Sequence, residues 1–186
     1  MIGYGFCGSF CTLSRGLAGM EQLIAEGKSI LPLMSEAVYS TDTRFGRAED
    51  WRARIGEATG EEIVHTVVGA EPLGPARPLE LLVLAPCTGN TLAKIAQGIT
   101  DTAITMAAKA HLRRDRPLLV ALASNDSLSA NLANVARLIT RKGVYFVPMA
   151  QDDPENKPHS LVADFTLIPD CVSAALAGKQ IRPLFL

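Results

Sequence analysis

Hydrophobic residues along this chain fall into short unbroken runs, separated by longer stretches with helical spacing. The runs 2–6, 29–34, 80–85, 118–123 and 144–148 each have the pattern of a strand buried on both faces. Residues 165–168 form a weaker sixth run. Helical periodicity covers 13–26, 48–57, 91–97, 102–113 and 128–141, and a last helix is expected near 171–177. Strands alternating with helices of this length predict βαβ crossovers. The expected fold class is therefore α/β: a three-layer α/β/α Rossmann-like sandwich with a mostly parallel sheet of five or six strands. Ligands of such folds sit outside the carboxyl ends of the strands.

The most informative stretch is 81–98. An apolar run, Leu81-Leu82-Val83-Leu84-Ala85, is expected to stop at Pro86, and small polar residues follow before a helix marked by Leu92, Ile95 and Ala96. Asn90 is placed to cap that helix, aiming its first amides at whatever lies above the strand. At the start of the chain Gly3, Gly5 and Gly8 spell G-x-G-x-x-G, but only two residues precede Gly3. Gly3 and Gly5 must then lie inside the first strand, where close packing is the better reading. Gly8 and Ser9 remain as a phosphate-facing turn. Glu36, just past the second strand, leaves a nicotinamide site open.

Ser35 follows the second strand, Thr88 and Asn90 the third, and Asn125 and Asp126 the fourth. Singly, each is explained as a cap or an Asx-turn residue. Together they converge on one sheet edge, and one shared pocket is the economical account. Two long polar segments, 35–46 and 150–159, flank that edge. The first carries Arg44, whose guanidinium can grip a carboxylate in bidentate fashion. The second carries Lys157 and His159; His65 and His111 fall in helical patterns, where packing explains them.

Composition narrows the class. In 186 residues, 48% are hydrophobic and 20% charged, as expected for one folded domain spanning 1–186. A net charge of −1 offers no bulk attraction to nucleic acid or anionic membrane. No secretion signal or membrane-length apolar stretch is present, so a soluble protein is expected. Cys7, Cys11, Cys87 and Cys171 complete no zinc set and are expected to be reduced, with Cys7 and Cys11 leaving room for a redox role; no metal is expected.

The segment from Ala85-Pro86-Cys87-Thr88-Gly89-Asn90-Thr91 through Asp101 resembles the hallmark of the flavoprotein family of FMN-binding cysteine decarboxylases and prenyl-FMN synthases. Gly8-Ser9 and Ser35 match that family's flavin-phosphate positions. Within the family, Ser40-Thr41-Asp42-Thr43-Arg44-Phe45-Gly46, Ala70-Glu71-Pro72-Leu73-Gly74-Pro75 and Gln151-Asp152-Asp153-Pro154 with Lys157-Pro158 are similar to the B subunits of dipicolinate synthases of spore-forming bacteria. This resemblance implies an FMN pocket around Gly8, Ser9, Ser35, Thr88, Asn90, Asp101 and Asn125. It implies an oxidoreductase subunit in the cytoplasm of the sporulating mother cell, converting dihydrodipicolinate, or its hydrated precursor, to dipicolinate. An A subunit would be the partner and carry NAD(P), and the chain would form a homo-oligomer. Arg44 and Lys157 would bind the dicarboxylate; Asp126 and His159 are the candidates, by position, for proton transfer. Two departures argue against cysteine decarboxylation: Leu122-Ala123-Ser124 precedes Asn125 in place of Pro-x-Met, and Arg77-Pro78 stands where the decarboxylases place a histidine. The competing readings are an FMN-dependent decarboxylase or prenyl-FMN-type transferase, and a non-catalytic scaffold for the A subunit.

Overall fold

A computed structural model describes residues 1–74, 76–77 and 79–186; Pro75 and Pro78, both quoted in the resemblance above, lie outside the described residues. Strands β1 (Ile2–Phe6), β2 (Ile30–Met34), β3 (Leu81–Cys87), β4 (Leu118–Ser124) and β5 (Val144–Phe146) pair in parallel. Two short strands, β6 (Met149–Ala150) and β7 (Leu161–Ala163), extend the sheet in antiparallel fashion from the end of β4. The order β2-β1-β3-β4-β7-β6, with β5 also on β4, makes a mixed sheet of seven strands where five or six were expected. The chain leaves β1 towards β2 on one side and returns to β3 on the other. A crevice at the carboxyl ends of β1 and β3 follows from that reversal.

Alternating side chains divide the sheet into two faces. Leu82, Leu84, Leu118, Val120 and Leu122 pack with Leu92 and Ile95 of α5 (Gly89–Gln97), Ile104 and Ala107 of α6 (Ala103–Leu112), and Val135 and Leu138 of α7 (Leu132–Ile139). Tyr4, Phe6, Leu81, Val83, Ala85, Leu119 and Ala121 pack the other way. Their partners are Leu13, Leu17 and Met20 of α1 (Leu13–Ala25), Ile55 of α3 (Ala48–Thr59), and Ile168 and Val172 of α8 (Ile168–Leu176). The result is the expected three layers. Burying each such Leu, Ile or Phe is worth roughly 1.5–3 kcal/mol.

Several expected boundaries move. Pro86 does not end the third strand: β3 continues to Cys87 through a cis Ala85–Pro86 bond, and the register against β4 shifts between Leu84 and Cys87. That irregularity accommodates a residue with no N–H to give the ladder. Residues 165–168 are helical, not a strand. The Asp164 carboxylate accepts from the Thr166 amide, Phe165–Leu167 form a 3-10 turn, and Pro169 sits in the first turn of α8. Two short helices, α2 (Glu36–Ser40) and α4 (Val67–Ala70), carry no periodicity long enough to be seen in the sequence. His65 lies between α3 and α4, stacked 3.6 Å from the Tyr39 ring, and not in a helix.

Gly3 and Gly5 have the packing role expected of them: a Cβ on Gly5 would stand 2.8 Å from Leu84 Cδ2 and 2.9 Å from Ile104 Cδ1. Gly16 is more constrained, because its Cβ would meet the Ala85 carbonyl oxygen at 2.5 Å and Pro86 Cδ at 2.8 Å. The buried Tyr4 hydroxyl also donates to the Gly16 carbonyl at 2.6 Å. Burial pushes the Tyr4 phenol well above its ordinary value, so it stays a donor.

Gly16→Ala is therefore expected to lose about 1–3 kcal/mol in denaturant unfolding, as overpacking against backbone does. Gly56→Ala in α3, where a Cβ meets nothing within 4 Å, should gain up to about 1 kcal/mol. Equal effects at the two sites would contradict the close approach of α1 to β3.

His111 offers a second test. Its Nε2 donates to the Pro117 carbonyl, its Nδ1 is buried without a partner among the described residues, and burial pushes its pKa down to about 4. An unfolded histidine takes up its proton near pH ~6.5. Between that pH and about 4 the unfolded chain binds the extra proton, so stability falls as pH drops through this window. The loss from this one group is at most about 3 kcal/mol, and His111→Gln should flatten it in a melting series.

Candidate functional site

Outside the carboxyl ends of β1, β3 and β4 lies a cavity of about 650 Å³. Its walls are the turn from Gly8 to Thr12, Arg15 of α1, the Arg44-Phe45 tip, Thr88 to Asn90, Ala123 to Asp126, and Asp152, Lys157 and Val162. Of the sequence-predicted residues, Gly8, Ser9, Arg44, Thr88, Asn90, Asn125, Asp126 and Lys157 meet here.

The local chemistry explains each wall. Thr88, not Asn90, is the N-cap of α5: its hydroxyl accepts from the Thr91 amide at 3.2 Å, and Asn90 stands inside the first turn. The cap follows directly on Cys87, the last residue of β3, so strand and helix are joined with no intervening loop. Amides in the first turn have no carbonyl within the helix to bond. Those at the start of this nine-residue helix add the positive end of its dipole to the cavity. In the first turn of the chain the Ser9 amide is committed to the Cys7 carbonyl at 2.8 Å. The Ser9 hydroxyl accepts from Thr12 Oγ1 at 2.9 Å, which leaves its own proton to donate.

Beneath this wall the thiols of Cys7 and Cys87 meet. The hydrogen bond with Cys7, together with burial, raises the Cys87 pKa, so that thiol stays protonated. Cys171 is likewise pushed up to about 12 by burial. All four cysteines are free, and only Cys11 is exposed, at the cavity. Among the described residues no cluster of three or more His, Cys, Asp or Glu could hold a metal ion.

Both acidic groups on the rim are already engaged. Asp126 accepts from the Ser124 hydroxyl and from Asn131 Nδ2, the latter at 2.8 Å. These bonds hold its carboxyl below the usual range, which makes it a poor proton acceptor. A Cβ on Gly89 would strike Ser124 Oγ at 2.4 Å and Asp126 Oδ1 at 2.8 Å, so the glycine lets this network close over the start of α5. Asp152 accepts from Lys157 at 2.9 Å and from Ser160 at 2.8 Å, and its pKa is lowered, chiefly by the Lys157 bond. Lys157 is thus a paired cation. Arg44 stacks its guanidinium 4.8 Å over the Phe45 ring at the exposed tip of its loop.

Three expected residues fall elsewhere. Asp101 lies beyond the far end of α5, in an ion pair with Lys94 at 2.8 Å, because a helix returning from the strand ends carries its C-terminus away from them. His159 is exposed off the cavity wall, its carbonyl accepting from the Leu128 amide. Ser35 stands behind the wall at the start of α2, whose Ala37 Cβ is 3.5 Å from where a Gly8 Cβ would be. Its hydroxyl is buried and has no hydrogen-bond partner among the described residues. Arg15, Ser124 and Asp152 also line the cavity and Asn131 bonds Asp126, although none was a candidate site residue in the sequence. Ser124 and Asp152 fall within stretches quoted there for other reasons, whereas Arg15 and Asn131 carry no linear signal.

Asp126→Asn should melt below the parent protein at neutral pH. Because the folded pKa is depressed, the deficit should persist down to the unfolded value near ~4 and shrink as pH falls further. A deficit unchanged by pH would show that the carboxylate charge plays no part in holding the turn.

Comparison with known proteins identifies the family and the fold. Residues 21–176 match the family model described as Flavoprotein. The chain is 41% identical over 185 residues to the B subunit of dipicolinate synthase from Bacillus subtilis (strain 168), covering 100% of this chain and 92% of that protein. The crystal structure of the B subunit of dipicolinate synthase from Bacillus halodurans C superposes with a TM-score of 0.91 at 42% identity, over 100% of this chain and 95% of that one. The FMN-dependent cysteine decarboxylase SpaF shares the fold at a TM-score of 0.67 and 24% identity, over 95% of this chain and 94% of that one.

Proposed function

The chain belongs to the Flavoprotein family, and we propose that within it the protein acts as the B subunit of a dipicolinate synthase. In this reading it works with an A subunit that carries NAD(P), and the pair oxidises dihydrodipicolinate, or its hydrated precursor, to dipicolinate. The observation that carries the reading is 41% identity over 185 residues to a relative of that name. The cavity supports it: amides, hydroxyls and the side chains of Arg15, Arg44 and Lys157 line it, and both acidic groups are tied up.

The same residues suit an FMN. The first-turn amides of α5 and the Ser9 hydroxyl are donors a phosphate monoester needs. Such a cofactor, when bound, would supply a hydride acceptor.

Aromatisation removes one hydride and one proton from the substrate. The chain's own part is to bind and orient. Arg44 offers two parallel N–H donors to one carboxylate, and Lys157, paired with Asp152 at the same rim, keeps that acid from repelling it. Asp126, with two donors upon it and a lowered pKa, serves the turn and not the proton. Its position next to Asn125 makes it a candidate; its bonds argue otherwise.

The decarboxylase and prenyltransferase alternatives share the fold but lack support from the residues before Asn125, where Leu122-Ala123-Ser124 continues β4. A scaffold role would need no cations at the cavity.

Reconstitution tests the reading. Dihydrodipicolinate oxidation by the A subunit should rise on adding this chain, and full-rate oxidation by the A subunit alone would overturn the proposal. Arg44→Ala in the reconstituted enzyme should raise KM by tens of fold, since truncating a charged hydrogen bond costs roughly 1.5–3 kcal/mol. An unchanged KM removes Arg44 from the site.

A further inference from the structure

A second cavity of about 570 Å³ adjoins the first and shares Arg15, Asp152 and Val162 with it. Its character is different. One wall is a single face of α1: Arg15, Ala18, Gly19 and Gln22 recur at helical spacing, and the small residues in the middle leave a hollow. Val162, Ala163 and Phe165 form the apolar wall opposite. Charge enters at the boundary between the two cavities, through Arg15 and Asp152, and at Asp164, whose carboxylate is engaged by the Thr166 amide at 3.0 Å and the Thr166 hydroxyl at 2.6 Å. At the boundary Asp152 is neutralised by Lys157, whereas Arg15 makes no ion pair and no side-chain hydrogen bond among the described residues. An uncompensated guanidinium thus stands where an apolar hollow meets a cavity rich in donors.

We propose that this hollow seats the planar ring of the dicarboxylate, and that Arg15 holds the carboxylate opposite the one bound by Arg44. The inference rests on the dicarboxylate reading given above and adds to it the residue that selects two carboxylates over one. The physical division is simple. A flat ring gains from leaving water for the apolar walls, and it has no use for the amides of the first cavity. Each carboxylate needs a cation, and Arg15 and Arg44 are guanidinium groups at the cavities with no ion pair among the described residues. A monocarboxylate would leave one of them without its partner, which is how a site built around charged groups rejects an incomplete ligand. Arg15 is a specificity-determining residue in this account.

The test is titration calorimetry of the full chain with pyridine-2,6-dicarboxylate and with pyridine-2-carboxylate. The parent protein should prefer the dicarboxylate by at least about tenfold, and Arg15→Gln should abolish most of that preference while binding the monocarboxylate nearly as before. Ala18→Trp, which fills the hollow from an exposed helix position without changing charge, should weaken both ligands at least about tenfold at an unchanged melting temperature. If Arg44→Ala weakens the dicarboxylate but Arg15→Gln and Ala18→Trp do not, the second cavity is not its seat, although the dicarboxylate reading stands. If the parent protein binds neither ligand, the dicarboxylate reading falls and this inference with it.

Discussion

The approach of α1 to β3 at Gly16 is the contact on which the rest of the site depends. The helix lies so close to the Ala85 carbonyl that no side chain fits between them, and the buried Tyr4 hydroxyl ties the Gly16 carbonyl to β1 at 2.6 Å. Three elements are thereby fixed at one point. The turn from Gly8 to Thr12 enters α1 immediately before it, and β3 ends in the Thr88 cap immediately after it. The two walls that supply donors to the cavity are thus held in register by one close packing contact. The same placement of α1 turns Arg15, Ala18 and Gly19 towards the adjoining hollow.

Electrostatics then gives the cavity its sign. A chain with net charge −1 has no general affinity for anions, so attraction must be local. Asp126 is engaged by Ser124 and Asn131, and Asp152 by Lys157 and Ser160. With those carboxylates satisfied, the remaining field comes from the α5 N-terminus, Arg15 and Arg44. This arrangement suits a phosphate and a carboxylated ring, and it offers little to a reaction that needs a strong base from this chain.

Much of this is legible in the linear sequence because its causes are local. Unbroken apolar runs mark the parallel strands, since a strand covered on both faces has no polar side. Small polar residues after each run mark the sheet edge where ligands gather. What stays hidden arises from contacts between distant segments. Pro86 has the look of a terminator, but β3 continues through it to Cys87 with a shifted register against β4, and the helix is capped at once by Thr88 and not by Asn90. Residues 165–168 have strand composition, yet Asp164 and Pro169 bias them towards a helix start. Asp101 and His159 are near the motifs in sequence and away from the cavity in space. Arg15 is invisible for the opposite reason: on an exposed helix face it looks like any solvated arginine until the hollow beside it is seen.

The central claim is that the paired cavities hold a flavin mononucleotide and a planar dicarboxylate side by side. Crystals of the full chain grown with FMN and pyridine-2,6-dicarboxylate address it most directly. The account predicts phosphate density at the Ser9 hydroxyl and the first turn of α5, and carboxylate density at both Arg15 and Arg44. Ligand density at some other surface, with neither arginine in contact, would contradict it.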